Sequence, residues 1–517
     1  MSTAQVEEGL AFILPKTDQT QVKSKNKEIF MNTLLQVKSP KMMAFILMFG
    51  TFIGLFGETA LNMALTNIMG EFLVKPAIAQ WLTTGYLLVL AILVPISALL
   101  MKWFSTRQLV IGGLVISLLG AVLAALSPNF AILLVGRIVQ AIGTGVLIPV
   151  MTSVLLIIFP VHRRGVVMGI MGLVITLGPA LGPTLSGVII STLGWPYIFW
   201  ISTLLYMLLT LFAVVKIENV SEITKPKIDF SSVALSSIGF GGLIYALASM
   251  AEAPISAPIV WAPFLIGIIA LLLFGVRQMK MDQPMVNLRV FKYPMFTLGT
   301  ATMFLGILMI LSAGILLPMY LKDALLYSAA VAGLLLLPGN AVNVVMSPIV
   351  GTLFDKFGPR VFVIMGSVVI LIANFMFASV ISASTPGWQI IVAFMLFFFG
   401  ITMVMMPSQT NALNQLPREL YADGSAAMNT LNQVAGAAGT AIAITLFTAG
   451  QGSYVAEVPA ASNPEVLAAG VKYAFYFVTG ISVSTFILSL FVKKGSAVGE
   501  KSSSTVKATE PVSLRNV

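Results

Sequence analysis

Pro95-Ile96-Ser97-Ala98-Leu99-Leu100-Met101-Lys102-Trp103-Phe104-Ser105-Thr106-Arg107 recurs without gaps as Pro348-Ile349-Val350-Gly351-Thr352-Leu353-Phe354-Asp355-Lys356-Phe357-Gly358-Pro359-Arg360. Five positions repeat at an offset of 253 residues: Pro, Ile, Leu, Phe and Arg. Each copy closes an apolar run and opens a short polar turn. A crossing helix needs about 20 apolar residues, and fourteen such runs lie near 42–65, 78–101, 108–126, 130–150, 166–190, 195–215, 230–250, 258–276, 296–319, 329–353, 361–381, 388–410, 424–448 and 472–492. The same offset carries span 1 onto span 9 and span 2 onto span 10. Six helices therefore repeat as six, with spans 7 and 8 left over as an insertion.

The expected organisation is a cytoplasmic N-terminal tail (1–41), a six-helix bundle (42–215), inserted helices 7 and 8 with flanking loops (216–295), a second six-helix bundle (296–492) and a disordered cytoplasmic tail (493–517). Two bundles related by a parallel repeat form a transporter architecture, with the substrate path between them.

Composition narrows the function. Of 517 residues 58% are apolar and 9% charged, against roughly half and a quarter in soluble domains. The chain reads as an all-α polytopic membrane protein. It has no Cys and a single His, His162, so disulfides, thiolate metal sites and Ser-His chemistry are excluded and neither metal nor cofactor is expected. No Walker-type Gly-rich loop ends in Lys-Ser or Lys-Thr, which argues against nucleotide hydrolysis. The apolar stretch Leu10 to Leu14 is too short for a cleavable signal and is followed by Lys16.

The net charge of +10 is explained by its distribution. Twenty-five of the 29 Lys and Arg fall in the tails and in the loops after even-numbered spans. Lys75, Lys322 and Lys472 fall on the opposite side, and Arg137 falls within a span. This asymmetry puts both termini in the cytoplasm and removes the need for a nucleic-acid partner.

Four stretches carry chemistry. In the 351–360 turn, Gly351 allows close helix packing, Asp355 can accept from a neighbouring helix N-terminus and Gly358 makes the tight turn. In the first copy Ala98, Lys102 and Ser105 stand at those positions, so any latch there should be weaker or differently built. Span 4 contains Gly136-Arg137-Ile138-Val139-Gln140-Ala141-Ile142-Gly143. An Arg in the bilayer costs about 3 kcal/mol or more without a partner or water. Span 1 offers that partner in Glu58-Thr59-Ala60-Leu61-Asn62, where Glu58 and Arg137 each lie about seven residues below the outer end of their span. Span 5 holds Gly169, Gly172, Gly178-Pro179-Ala180-Leu181-Gly182-Pro183 and Gly187, whose glycines permit close approach and whose prolines bend the helix.

Together with Trp195-Pro196-Tyr197-Ile198-Phe199, these stretches resemble the major facilitator superfamily, and within it the fourteen-span drug:proton antiporters of the EmrB/QacA group. The likeness covers residues 42–492. It departs from the pattern at Glu58, where Asp is more usual, and in the degenerate first turn. The resemblance implies a major facilitator fold of 14 transmembrane helices (6 + 2 + 6) with both termini cytoplasmic. It further implies a proton-coupling site at Glu58, Arg137, Gln140 and Asn62, and an antiporter motif at Gly178, Pro179, Gly182 and Pro183. The conformational latch would comprise Gly351, Asp355, Lys356, Gly358 and Arg360.

Substrate signals are thinner. Tyr86, Asn340, Asn343, Gln409, Asn411, Asn429, Asn432 and Gln433 are candidates to line a cavity, although each could instead bond helix to helix. The segment 449–471 reads as the longest outer loop. The expected function is proton-coupled export of amphiphilic drugs or toxic compounds across the bacterial cytoplasmic membrane, by a monomer whose partners are the substrate, protons and the bilayer. Export of an endogenous metabolite, lipid or signalling nucleotide on the same fold is the alternative. An uptake carrier would conflict with the span 5 motif, and a membrane enzyme with the shortage of intramembrane acids and His.

Overall fold

The computed structural model describes residues 37–493, apart from 80, 222, 226–228, 251–252, 254–255 and 282–283. The tails 1–36 and 494–517, and the side chains of Asn62, Pro179 and Pro183, lie outside the described residues. Within that set are fourteen helices of 20 residues or more and no strand. They are α1 Pro40–Ala60, α2 Trp81–Trp103, α3 Thr106–Ala125, α4 Phe130–Ile158, α5 Val161–Thr192, α6 Pro196–Lys216 and α7 Phe230–Ser249. They continue as α8 Pro258–Lys280, α9 Pro294–Met319, α10 Ala329–Phe357, α11 Pro359–Val380, α12 Gly387–Asn414, α13 Tyr421–Glu457 and α14 Asn463–Leu490. Thirteen are long and apolar enough to cross a membrane. The fourteenth, α5, has 32 residues.

Local chemistry sets the ends. Proline in the first turn starts α1, α6, α8, α9, α11 and α14, where its missing N–H costs nothing. Ser105 and Ser462 form capping boxes with Gln108 and Glu465. Gly358, at φ 78°, makes the corner between α10 and α11; only glycine takes that conformation without strain.

Two departures from the expected spans matter. The first span does not run on to residue 65: α1 stops at Ala60, a 3₁₀ turn covers Leu61–Met63, and a short helix follows over Leu65–Phe72. Glu58 thus lies in the last turn of α1. The outer segment 449–471 is not a long loop either. α13 runs to Glu457 and α14 begins at Asn463, because a Cβ at Gly450 or Gly470 would strike the other helix and the Ser462 box starts α14 early. Lys472 consequently lies inside α14. At 37 residues, α13 is about 55 Å long and overshoots a hydrocarbon core of about 30 Å.

Both described termini lie at one end of the molecule. The Lys38 N–H donates to Glu218 (3.2 Å) in the segment after α6. The Lys225 N–H in the same segment donates to the Lys102 carbonyl at the end of α2 (3.1 Å). Asn411 at the end of α12 donates to the Lys493 carbonyl (3.0 Å). This is the Lys/Arg-rich end, called the basic end below.

Among the described residues, the apolar cluster shared by the two halves lies there. One cluster joins Met43, Leu47, Leu155 and Met168 to Phe296, Met303, Leu413, Tyr421 and Met428. Its second-half members come from the basic-end portions of α9, α12 and α13. Towards the other end the clusters separate: Ala60, Leu82, Leu133 and Phe199 pack within the first half, and Leu316, Phe377, Phe394 and Phe475 within the second. Helix α7 packs against α2 and α13, at the side of the seam between halves, and α8 packs on α7.

Candidate functional site

Four helices of the first half converge on Arg137. Its side chain is fully buried. The guanidinium Nη1 donates to Gln140 Oε1 at 2.8 Å, Nε makes a long contact of 3.5 Å to the Leu82 carbonyl, and Cζ stands 4.2 Å above the centroid of the Tyr86 ring. Nη2 has no hydrogen-bond partner, and neither has Gln140 Nε2. Tyr86 is fully buried, and its O–H is shared between the Gly54 carbonyl (3.1 Å) and Thr144 Oγ1 (2.9 Å).

Helix α1 lies directly against these donors. A Cβ at Gly57 would come within 3.7 Å of Gln140 Nε2 and 3.8 Å of Arg137 Nη1. Glu58, the next residue, is half-buried and is coupled electrostatically to Arg137. It forms no ion pair with it: the described residues contain two salt bridges, both elsewhere. The direct Glu58–Arg137 contact considered from the sequence is therefore replaced by Gln140 and the Tyr86 ring.

Helix α5 closes the other flank of α1. A Cβ at Gly178 would meet Leu55 Cβ at 3.0 Å, and one at Gly182 would collide with Thr59 Oγ1. Both glycines thus let α5 lie on α1 within one turn of Glu58. The span 5 motif and the acid belong to one contact.

At the basic end, α10 crosses α5. The Asp355 carboxylate accepts from the backbone N–H groups of Gly165 (3.0 Å) and Val166 (3.3 Å). A Cβ at Gly351 would lie 2.6 Å from the Gly165 carbonyl oxygen. Lys356 and Arg360 are exposed. In the first half the equivalent junction uses Lys102, whose Nζ donates to Asp423 Oδ1 at 2.8 Å. The same oxygen accepts from the Asn287 N–H at 2.9 Å. Buried Arg164 adds a third tie, donating from Nη1 to Asn414 (2.8 Å) and to the Tyr421 hydroxyl (3.0 Å).

The cavity candidates scatter. Tyr86 belongs to the Arg137 cluster. Asn343 accepts from Thr402 Oγ1 at 2.7 Å, Asn411 binds the Lys493 carbonyl at the basic end, and Asn429 donates to the Ser425 carbonyl at 2.8 Å. Gln409 is buried, Asn340 and Gln433 are half-buried, and so is Asn432, whose Oδ1 has no partner.

A family model described as Major Facilitator Superfamily matches residues 47–440. The chain belongs to the major facilitator superfamily. It is 49% identical over 465 residues to the lincomycin resistance protein LmrB of Bacillus subtilis (strain 168), a match covering 89% of this chain and 97% of that protein. It is 27% identical to a multidrug resistance protein B homolog of Mycobacterium tuberculosis, over 75% of this chain and 73% of that one. Among solved structures, the human organic anion transporter MFSD10 (TETRAN) superposes with a TM-score of 0.61 at 14% identity, covering 87% of this chain and 99% of that chain. That last likeness concerns the fold.

This facilitator is thus a multi-pass transporter of the bacterial plasma membrane, in a family with drug-resistance members. Three residues escaped the sequence reading. Asp423 was signalled only as an acid at the start of an apolar run, and Arg164 as one of a basic pair beside His162. Thr144, which ties Tyr86 to α4, carried no signal, because a hydroxyl in a membrane helix usually bonds its own backbone.

Proposed function

We propose that this facilitator exports amphiphilic compounds, lincomycin among them, in exchange for protons, by alternating access between its two six-helix bundles. The basic end faces the cytoplasm, and α7–α8 form an insertion at the side of the seam. The observation that carries the reading is the pair of buried, unpartnered donors, Arg137 Nη2 and Gln140 Nε2, beside the last turn of α1 where Glu58 sits. A buried donor left unpaired costs about 1–3 kcal/mol, and a carboxylate within reach is the group that relieves that cost. An ionised Glu58 supplies two acceptor oxygens to those donors, whereas a protonated one has far less claim on them.

The cycle follows. With the cytoplasmic end sealed, a proton from outside neutralises Glu58, the attraction to Arg137 falls, and α1 is free to shift against α4. Because Gly178 and Gly182 press α5 onto the same turn of α1, that shift is passed to α5. The start of α5 is held by Asp355 across the seam, so the shift bears on the sealed end, where substrate enters once the proton has left inward. Moving one charge through 100 mV is worth about 2.3 kcal/mol, equivalent to roughly a fiftyfold gradient of a neutral substrate.

The test compares wild type with Glu58→Gln. Cells expressing the wild type should tolerate more lincomycin, and everted vesicles should accumulate it when acidified inside. Glu58→Gln should insert normally and lose both properties. Undiminished proton-driven accumulation by that variant would remove the coupling scheme, and a wild type that leaves lincomycin tolerance unchanged would remove the substrate.

A further inference from the structure

A buried guanidinium and a nearby carboxyl in a medium of low dielectric attract strongly, and with nothing to hold them apart they close into a contact pair. Here they do not. Glu58 and Arg137 are coupled through space but share no salt bridge, which poses the question of what holds the guanidinium back.

Gln140 binds one corner of it, and the Leu82 carbonyl is at the limit of reach. The remaining contact is the face of Tyr86, 4.2 Å from Cζ. The negative face of an aromatic ring attracts a cation, most strongly when both are desolvated, and Arg137 and Tyr86 are both fully buried. The ring is itself held fast. Its O–H reaches the Gly54 carbonyl of α1 and Thr144 Oγ1 of α4, while Thr144 spends its own proton on the Gln140 carbonyl at 3.2 Å. Tyr86 is therefore anchored to both helices that carry the charges and presents its face to only one of them.

We propose that Tyr86 is a positioning residue of the coupling site: its ring competes with Glu58 for the Arg137 guanidinium, which weakens the pair the ionised acid would form and leaves the carboxyl able to take a proton. This rests on the reading of Glu58 as the coupling acid and adds a residue first grouped with the substrate cavity. The charged and titratable groups facing Glu58 among the described residues are few. They are Arg137 from α4 and Tyr86 from α2; Tyr206 from α6 faces Arg137 instead, and α5 meets this turn with Gly178 and Gly182.

The readout is the infrared carboxyl band of Glu58 in the purified full-length protein, identified by its loss in Glu58→Gln and followed as pH is varied. This needs no substrate, so it is independent of the transport test that decides the underlying reading. In Tyr86→Phe, which keeps the ring but loses both tethers of its O–H, the titration midpoint should fall by less than in Tyr86→Leu. In Tyr86→Leu the guanidinium is released to pair with Glu58, and the midpoint should fall by about one pH unit, the equivalent of a modest cation–π contact. A series of increasingly fluorinated phenylalanines at position 86 weakens the face without changing its shape and should lower the midpoint in steps, which covers the case of a leucine variant that does not fold. In an Arg137→Met background, Tyr86→Leu should produce no further shift. A midpoint indifferent to ring fluorination, or a shift of equal size without Arg137, overturns the proposal.

Discussion

The two junctions that join the halves at the basic end occupy the same place in the repeat and are built with opposite charges. In one, the last turn of α10 in the second half meets the start of α5 in the first, and the Asp355 carboxylate accepts from two backbone N–H groups. In the other, the last turn of α2 meets the start of α13, and Lys102 stands where the repeat would put an acid. A helix start carries partial positive charge and welcomes a carboxylate; it repels an ammonium. The first-half junction therefore works only because α13 carries its own acid in its first turn, and Asp423 takes both Lys102 and the Asn287 N–H. The two junctions keep the geometry of the repeat while their chemistry is inverted.

This difference predicts unequal responses to neutralisation. Asp423 is almost wholly inaccessible whereas Lys102 is about one-fifth exposed, so Lys102→Met strands a buried carboxylate. Breaking a buried pair in this way costs about 3–5 kcal/mol. The chain has no native Cys, so a cysteine introduced at Ser425, which bonds the Pro149 carbonyl across the seam, reports opening cleanly. Its labelling by a maleimide should accelerate by about a hundredfold or more in Lys102→Met. Restoring a pair in reverse, as Lys102→Asp with Asp423→Lys, should recover part of the protection. Unchanged labelling in the single variant would mean that the ion pair does not hold the seal.

Asp355→Asn should be milder. The amide keeps one of the two acceptor oxygens that serve Gly165 and Val166 and loses the other with the charge, about 1–2 kcal/mol, so labelling should rise several-fold. If Asp355→Asn opened the end as far as Lys102→Met, the contrast between the junctions would fall.

The smallest effect is expected at the start of the α7–α8 hairpin, where Asp229 accepts from Arg277 at 2.5 and 2.9 Å. Arg277, and then Ser232, hold the Asp229 carboxyl well below the usual carboxylate range. A carboxyl lowered in the folded state contributes stability that is complete above its unfolded value and is lost as pH falls through that value towards the folded one. Thermal stability of Asp229→Asn should thus sit slightly below wild type at neutral pH and converge with it in strong acid. Exposed pairs contribute little, and a large loss at neutral pH would show that the hairpin matters more to the seal than the two junctions suggest.

Much of this was legible in the residues. Unbroken apolar runs located the fourteen helices, because burying that much apolar surface in lipid leaves no other arrangement for the backbone. Gly358 and Asp355 announced a tight corner and an acceptor for a helix start. Glu58 and Arg137 stood out because charge is costly in a bilayer. The ends of α13 and α14 were not legible: Gly450 and Gly470 act through each other's helix, and a hydropathy pattern is silent on which glycine faces which neighbour. Lys102 could be seen to break the repeat, but the acid that answers it lies 321 residues away.

Composition and spacing thus decided the helical membrane fold and the few charged residues worth attention, since each follows from the energy of a single residue in lipid. Only the folded molecule decided that Arg137 rests on Tyr86 instead of closing on Glu58, that Gly178 and Gly182 press on the acid's own turn, and that the two halves meet at one end. Those outcomes depend on angles and distances between helices remote in sequence, which no single helix encodes.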